Sequence, residues 1–213
     1  IVLIEPAPEG VHVFTDICMP RGVLILGAIL KLAGHEVEIY CEALGAFDLA
    51  EAVKSADIVG VSVITPTAKK GYEVAKACKA LGKKVVMGGH SMGALTTFAM
   101  ADYAPLTHYI LVCGGSFGAP MGAEKIHGPA IILGGDTDSG TPNFEDDYMV
   151  IPTPKIFLIK SGTDHVACAR SNLGPWTEFM RWQLYGETKW KANFFDGGKY
   201  CKAPWDSCES KGW

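Results

Sequence analysis

The sequence lacks long apolar runs, a charge excess and a basic block. Its longest apolar stretch, residues 22–33, falls short of the roughly 20 residues that a membrane span needs, so we expect no membrane partner. Lys and Arg number 19 against 23 Asp and Glu, for a net charge of −4, so no nucleic-acid partner is expected either. No basic residues lead into an apolar stretch after Ile1, so we expect no signal peptide in this sequence.

Metal-binding spacings are also missing. Two tail cysteines, Cys201 and Cys208, do not supply four ligands, so we predict no metal and no cofactor. Their spacing leaves a disulfide and free thiols equally open. Four other cysteines lie in apolar segments and are interpreted as small buried hydrophobic residues: Cys18, Cys41, Cys78 and Cys113. The seven cysteines leave the cellular compartment open.

Glycine is what the sequence has in surplus, with 25 of 213 residues against a usual share of about 7%. Many of these glycines punctuate an alternation of strands and helices, which indicates a mostly parallel sheet covered on both faces. We therefore predict an α/β three-layer sandwich with about seven strands in a single domain, 1–213. The helix at 21–33 should face the sheet through Leu24, Ala28 and Leu32. The predicted strands are 1–4, 35–40, 57–63, 84–87, 109–113, 130–133 and 156–159. The predicted helices are 21–33, 47–55, 68–81, 91–103 and 176–184. Residues 187–213 should wrap the surface.

A G-x-S-x-G pentapeptide, Gly89-His90-Ser91-Met92-Gly93, lies between a predicted strand and a predicted helix. In that context the turn is so tight that small residues are needed on both sides of the serine, which is exposed at the helix N-terminus. The pattern therefore predicts Ser91 as a nucleophile. His90 is interpreted as a packing or supporting residue rather than a catalytic one.

An acid and a histidine should follow the serine, each after a later strand. The strand at 130–133 leads to Asp136 and Asp138, and the strand at 156–159 leads to His165. All three groups should meet at the carboxyl edge of the sheet. We predict Ser91, Asp138 and His165 as the catalytic residues, with Asp136 as the alternative acid. The neighbouring Asp164 is interpreted as a solvated or turn residue.

Two N–H donors are needed to stabilise the developing oxyanion. The N–H of Met92 comes with the turn. The second should come from the loop at 64–67, where Pro66 has no N–H, so Thr65 or Thr67 would have to serve. Thr65 is our predicted donor.

The second half of the chain, 89–213, resembles the α/β-hydrolase superfamily, in particular its dienelactone-hydrolase and cutinase-like polyester-hydrolase branch. The resemblance rests on GHSMG at 89–93, ILGGDTDSGTP at 132–142 and SGTDHVA at 161–167. It implies that Ser91, Asp138 and His165 hydrolyse a small-molecule or polymeric carboxylic ester through an acyl-enzyme. Secreted members often carry a C-terminal disulfide, which would suit Cys201 and Cys208.

The first half, 1–88, resembles the flavodoxin-like cobalamin-binding domain found ahead of radical S-adenosylmethionine enzymes. The matching segments are 19–40, 57–67 and 85–90, whereas the D-x-H-x-x-G motif of base-off cobalamin proteins is absent. The resemblance implies the strand order 2-1-3-4-5. It also implies that the loop around Ser62 and Thr65 and the turn at Gly88 and Gly89 would line the nucleotide tail of a corrinoid.

Both families have a strand that ends in Gly-His, and the two resemblances meet there. We infer an engineered, de novo chimera of two half-sheets. Its loop at 64–67 would come from the cobalamin-binding family, in which it was never selected to stabilise an oxyanion. The loss of one oxyanion N–H donor lowers the rate by about 10²–10³. The sequence therefore predicts a weak or inactive serine ester hydrolase, with a cobalamin-binding module or a recombined protein without activity as alternatives.

Overall fold

Eight strands and seven α-helices are present in the part of the chain that the computed structural model describes, which is residues 1–7, 21–63, 67–115 and 122–213. The chain divides into two units, Ile1–Lys83 and Lys84–Trp213. The α/β class and the dominance of parallel pairing are confirmed. The described residues form one sheet of three strands and one of five, which differs somewhat from the predicted single sheet of about seven strands. That 1–213 is a single domain stays a prediction.

The first unit holds a parallel sheet with the order β2-β1-β3, as the flavodoxin-like resemblance implies for its first three strands. Leu3 in the middle of β1 is buried against Val23 and Val37. The strands are β1 (Val2–Glu5), β2 (Glu38–Cys41) and β3 (Val59–Val61), and the helices are α1 (Arg21–Leu32), α2 (Leu49–Lys54) and α3 (Ala68–Ala80).

Helix α1 contacts the sheet through a different face from the predicted one. Val23 and Gly27 are buried, whereas Leu32 is 89% exposed. A methyl group at position 27 would lie 2.5 Å from Ile39 Cδ1, so the helix approaches the sheet most closely at its glycine. This close approach fixes the buried face and makes the predicted face wrong: Leu24, Ala28 and Leu32 are exposed.

The second unit is a five-stranded sheet with the order β4-β5-β6-β7-β8, in which the first four strands are parallel and β8 is antiparallel to β7. Strands β5, β6 and β7 are buried along nearly their whole length and form the centre of the core. The strands are β4 (Val86–His90), β5 (His108–Val112), β6 (Ala130–Gly135), β7 (Lys155–Lys160) and β8 (Trp205–Lys211). The helices are α4 (Met92–Ala99), α5 (Thr141–Val150), α6 (His165–Ser171) and α7 (Leu173–Tyr185).

The C-terminal tail is more regular than predicted. Two 3₁₀ helices, Thr188–Phe194 and Lys199–Cys201, precede β8. Phe194 and Tyr200 from these short helices are buried in the core. The tail therefore completes both the sheet and the core of this unit instead of only covering its surface.

The described cysteines form two disulfides, one of which is the tail pair that the hydrolase resemblance implies. Cys113 is buried in the core, as predicted, and it also forms a disulfide with Cys168 that the sequence did not predict. Cys201 and Cys208 form the second disulfide. Cys78 is a buried free thiol, as predicted, and Cys41 is a half-buried one. Cys18 lies outside the described residues.

Candidate active site

Ser91 occupies a strained turn between β4 and α4. Its φ is +58° and its ψ −119°, although a non-glycine residue with positive φ is uncommon and costs on the order of 1–3 kcal/mol. The Ser91 N–H donates to the Val112 carbonyl at 3.0 Å, which extends the pairing of β4 with β5 up to the serine. The sheet thus holds the serine in the conformation that the G-x-S-x-G pattern predicts.

The two glycines of the pentapeptide have unequal roles. A methyl group at position 89 would lie 2.2 Å from the carbonyl carbon of Gly93, so only glycine fits there. At position 93 no described atom lies within 4 Å of the place that a methyl group would take. The tightness of the turn therefore constrains Gly89, two residues before the serine, much more than Gly93, two residues after it.

The structure brings together the serine, histidine and acid that the sequence predicts. Ser91 Oγ lies 2.8 Å from His165 Nε2, and His165 Nδ1 lies 3.0 Å from Asp138 Oδ2. A carboxylate only accepts hydrogen bonds, so Nδ1 carries the proton and Nε2 is left to accept from the serine hydroxyl. This arrangement suits the removal of a proton from Ser91.

The Asp138 carboxylate is buried, whereas the His165 imidazole is accessible to solvent. The Asp138 side chain is 2% exposed and the His165 side chain 45% exposed. Asp138 Oδ1 accepts from the Gly140 N–H at 2.9 Å, so both carboxylate oxygens are engaged and the plane of the carboxylate is fixed. The contribution of Gly140 gives no signal in the sequence, because any non-proline residue supplies such an N–H.

Asp136, the alternative acid, has a different place. Its Oδ1 accepts from the Thr163 N–H at 3.1 Å, which ties the loop after β6 to the loop after β7. Main-chain N–H groups of Gly162 and Thr163 hold the pKa of Asp136 below its usual value. Asp136 therefore organises the loop that leads to His165, whereas Asp138 contacts the imidazole itself.

Asp164 is exposed, as predicted, and is also the N-cap of α6. Its side chain accepts from the N–H groups of Val166 and Ala167 at 3.0 and 2.7 Å. The cap makes His165 the first residue of the helix. An aspartate just ahead of an apolar helical run is a recognisable start signal, so this role was open to prediction.

Of the two predicted oxyanion donors, Met92 and Thr65, the structure describes Met92. Met92 begins α4, where N–H groups have no acceptor within the helix, and this suits the predicted role of its N–H. Thr65 lies outside the described residues, as does Pro66. Thr67 is the N-cap residue of α3 and is buried. The second donor therefore stays a prediction.

Among the described residues, no group of three or more His, Cys, Asp or Glu side chains is arranged to hold a metal ion. In the same residues, no helix combines the length and the apolar character needed to cross a membrane.

Fold and site together define an α/β protein with a serine–histidine–aspartate chain of hydrogen bonds at the carboxyl edge of a parallel sheet. A family model described as "B12 binding domain" matches residues 10–116, about half of the chain. The chain therefore belongs to the B12 binding domain family, which confirms the resemblance of its first half. The match ends beyond the predicted boundary at residue 88 and includes the turn at Ser91.

Solved structures with a similar arrangement include three hydrolases. They are esterase PE8 (17% identity, 84% of this chain and 90% of that one, TM-score 0.43), an alpha-beta serine hydrolase homologue from Coxiella burnetii (17%, 86% and 85%, 0.46) and the esterase domain of a Rhodothermus marinus protein (15%, 83% and 84%, 0.41). At TM-scores below 0.5 these similarities carry no argument about function. No curated protein matches the chain.

Membership of the B12 binding domain family implies a cobalamin, and the described residues do not fit one at Gly89. A methyl group at position 89 would overlap the main chain of Gly93, whereas Gly88, the other glycine that would line the nucleotide tail, is exposed. Gly89 therefore serves the turn at Ser91 rather than an open cradle.

Proposed function

We propose that the chain is a serine ester hydrolase that cleaves small-molecule or polymeric carboxylic esters through an acyl-enzyme. The observation that carries the proposal is the continuous chain of hydrogen bonds from Ser91 through His165 to Asp138. The strained conformation of Ser91 and the exposed imidazole of His165 support it, because a substrate must reach both groups.

The reaction has two halves. In the first, Ser91 Oγ attacks the ester carbonyl carbon while His165 Nε2 takes the hydroxyl proton, and the Met92 N–H faces the developing oxyanion. Collapse of the tetrahedral intermediate breaks the bond to the alcohol, which leaves with the proton from His165. In the second half, water attacks the acyl-enzyme with His165 again as the base, and the acid and free Ser91 are released.

Asp138 keeps its charge throughout this cycle. It holds the imidazole in the tautomer with Nδ1 protonated, and it stabilises the imidazolium that forms while His165 carries the serine proton. Its burial strengthens this interaction because little water screens the carboxylate.

We expect low activity. The loss of one of the two oxyanion donors costs about 3 kcal/mol, or 10²–10³ in rate. This expectation follows from the inferred chimera, in which the loop at 64–67 comes from the B12 binding half.

The test is turnover of an activated short-chain ester together with labelling by a fluorophosphonate probe. The unmodified protein should label at one serine and turn over slowly, and Ser91→Ala should abolish both. Ser55→Ala, at an exposed serine that caps the C-terminus of α2, is the matched control and should label like the unmodified protein. Labelling that survives in Ser91→Ala would refute the proposal.

Cobalamin binding is the second candidate function, because the family match favours it. The close contact of Gly89 with the main chain of Gly93 counts against it. A titration with cobalamin followed by visible absorbance distinguishes the two candidates, since an ester hydrolase without a corrinoid site leaves the spectrum unchanged.

A further inference from the structure

His90 contacts the residue that we propose as the catalytic base. Its Nε2 lies 2.7 Å from the main-chain oxygen of His165, and the centroids of the two rings are 4.8 Å apart with an angle of 41° between the ring planes. A carbonyl oxygen only accepts hydrogen bonds, so His90 Nε2 carries a proton and donates the hydrogen bond to the His165 carbonyl. This contact joins the residue before Ser91 to the first residue of α6.

The contact holds the main-chain carbonyl of His165, which Ser91, Asp138 and Asp164 do not bond. Ser91 and Asp138 hold the two ring nitrogens, and Asp164 holds the N–H groups of the first turn of α6. His90 binds the carbonyl of His165 from the strand that also carries the serine. One rigid strand end, the end of β4, therefore fixes both the nucleophile and the backbone of the base.

We propose that His90 is a positioning residue that sets the distance between His165 Nε2 and Ser91 Oγ through its hydrogen bond to the His165 carbonyl. The inference rests on the proposed function. Its physical basis is that reacting groups must be held within a fraction of an ångström, and that a displacement of about 1 Å can cost about 10² in rate. Because the His165 ring is nearly half exposed, packing alone does not hold it in place.

Two substitutions separate the hydrogen bond from the ring contact. His90→Phe keeps an aromatic ring against His165 but removes the donor, and His90→Gln keeps an N–H donor without the ring. His127→Phe is the matched control, because His127 Nε2 also bonds a main-chain carbonyl, that of Leu106 at 2.9 Å. That bond lies at the amino ends of β5 and β6, at the opposite edge of the sheet from Ser91.

The first measurement is the rate of labelling of Ser91 by a fluorophosphonate, with kcat and KM for an activated ester. We expect His90→Phe to lower the labelling rate and kcat by about tenfold or more with KM unchanged. His90→Gln should recover most of the loss, and His127→Phe should label at the unmodified rate. Equal losses in His90→Phe and His90→Gln, or no loss in His90→Phe, would overturn the proposal.

The second measurement does not depend on activity. In a ¹⁵N-histidine NMR spectrum, His90 should appear as the Nε2-protonated tautomer, and the Nδ1 proton of His165 should give a sharp low-field signal. His90→Phe should broaden that signal, whereas His127→Phe should not. If the unmodified protein fails to label, the proposed function is wrong, but this spectrum still decides the role of His90. An unchanged His165 signal in His90→Phe refutes the positioning role of His90.

Discussion

Cys113 and Cys168 form a disulfide that joins the end of β5 to α6, the helix that begins with His165. Their Cα atoms are 6.5 Å apart, and both residues are buried. Gly114, next to Cys113, approaches the turn so closely that a methyl group there would lie 2.2 Å from the Ser91 carbonyl oxygen. The disulfide therefore ties the support of the serine to the helix of the histidine.

Removal of this disulfide should destabilise the protein more than removal of the second one. The Cys113–Cys168 pair spans 55 residues and the Cys201–Cys208 pair spans 7, and the entropy of loop closure assigns them about 4 and about 2 kcal/mol. Replacement of each pair by alanines, followed by urea unfolding, gives the two losses in the free energy of unfolding. The reverse order would contradict the prediction.

The two aspartates of the loop after β6 should differ in their effect on activity. Asp138→Asn should lower kcat by about 10³–10⁴, because an amide no longer selects the His165 tautomer that accepts from Ser91. Asp136→Asn is the matched control and should lower kcat by less than about tenfold, because Asp136 acts on the loop main chain and not on the ring. Rates of ester turnover for the two variants, compared at equal folded concentration, test this order.

The glycines at positions 89 and 93 should also respond unequally. Gly89→Ala should disrupt the turn at Ser91, since its methyl group would overlap the main chain of Gly93. Gly93→Ala should be neutral or stabilise α4 by up to about 1 kcal/mol, because alanine is the better helix former. Thermal unfolding of both variants is the measurement, and a Gly93→Ala variant as unstable as Gly89→Ala would contradict this reading of the turn.

His108 should make stability depend on pH. Burial, together with the nearby charge of Lys84, lowers the pKa of His108 from 6.5 to about 4. The unfolded chain therefore binds a proton more readily than the folded one between these values. The stabilisation is complete above pH 6.5 and is lost as the pH falls toward 4, by up to roughly 3 kcal/mol.

Urea unfolding at pH 7 and at pH 4.5, compared between the unmodified protein and His108→Gln, isolates this contribution. The variant should lose less stability over that interval. An identical loss in both proteins would show that other groups account for the pH dependence.

Sequence patterns predicted the strands that are buried along nearly their whole length. Strands β5, β6 and β7 are continuous apolar runs, and their places agree with prediction within one or two residues. Strand β8 was missed because its alternating residues are mostly polar and charged, as suits an edge strand. The buried face of α1 was missed because a close approach at Gly27 depends on the partner strand.

The candidate site was anticipated where side chains carry the chemistry. The order of serine, acid and histidine along the chain, each after a strand, was enough to select three side chains that lie within hydrogen-bond distance. The supporting contacts escaped because they use main-chain groups, such as the Gly140 N–H and the His165 carbonyl. Cys168 has no local pattern that pairs it with Cys113.

The cap at Asp164 has a consequence for the direction in which the His165 side chain points. Successive residues of an α-helix are rotated by about 100° around its axis, so the residue at which α6 begins sets the azimuth of every side chain in it. A start one residue later would turn the imidazole away from Ser91 without changing a single residue of the serine, histidine and acid. The Asp164 carboxylate, which bonds neither the serine hydroxyl nor the imidazole, therefore sets the direction of the His165 side chain by fixing where α6 begins.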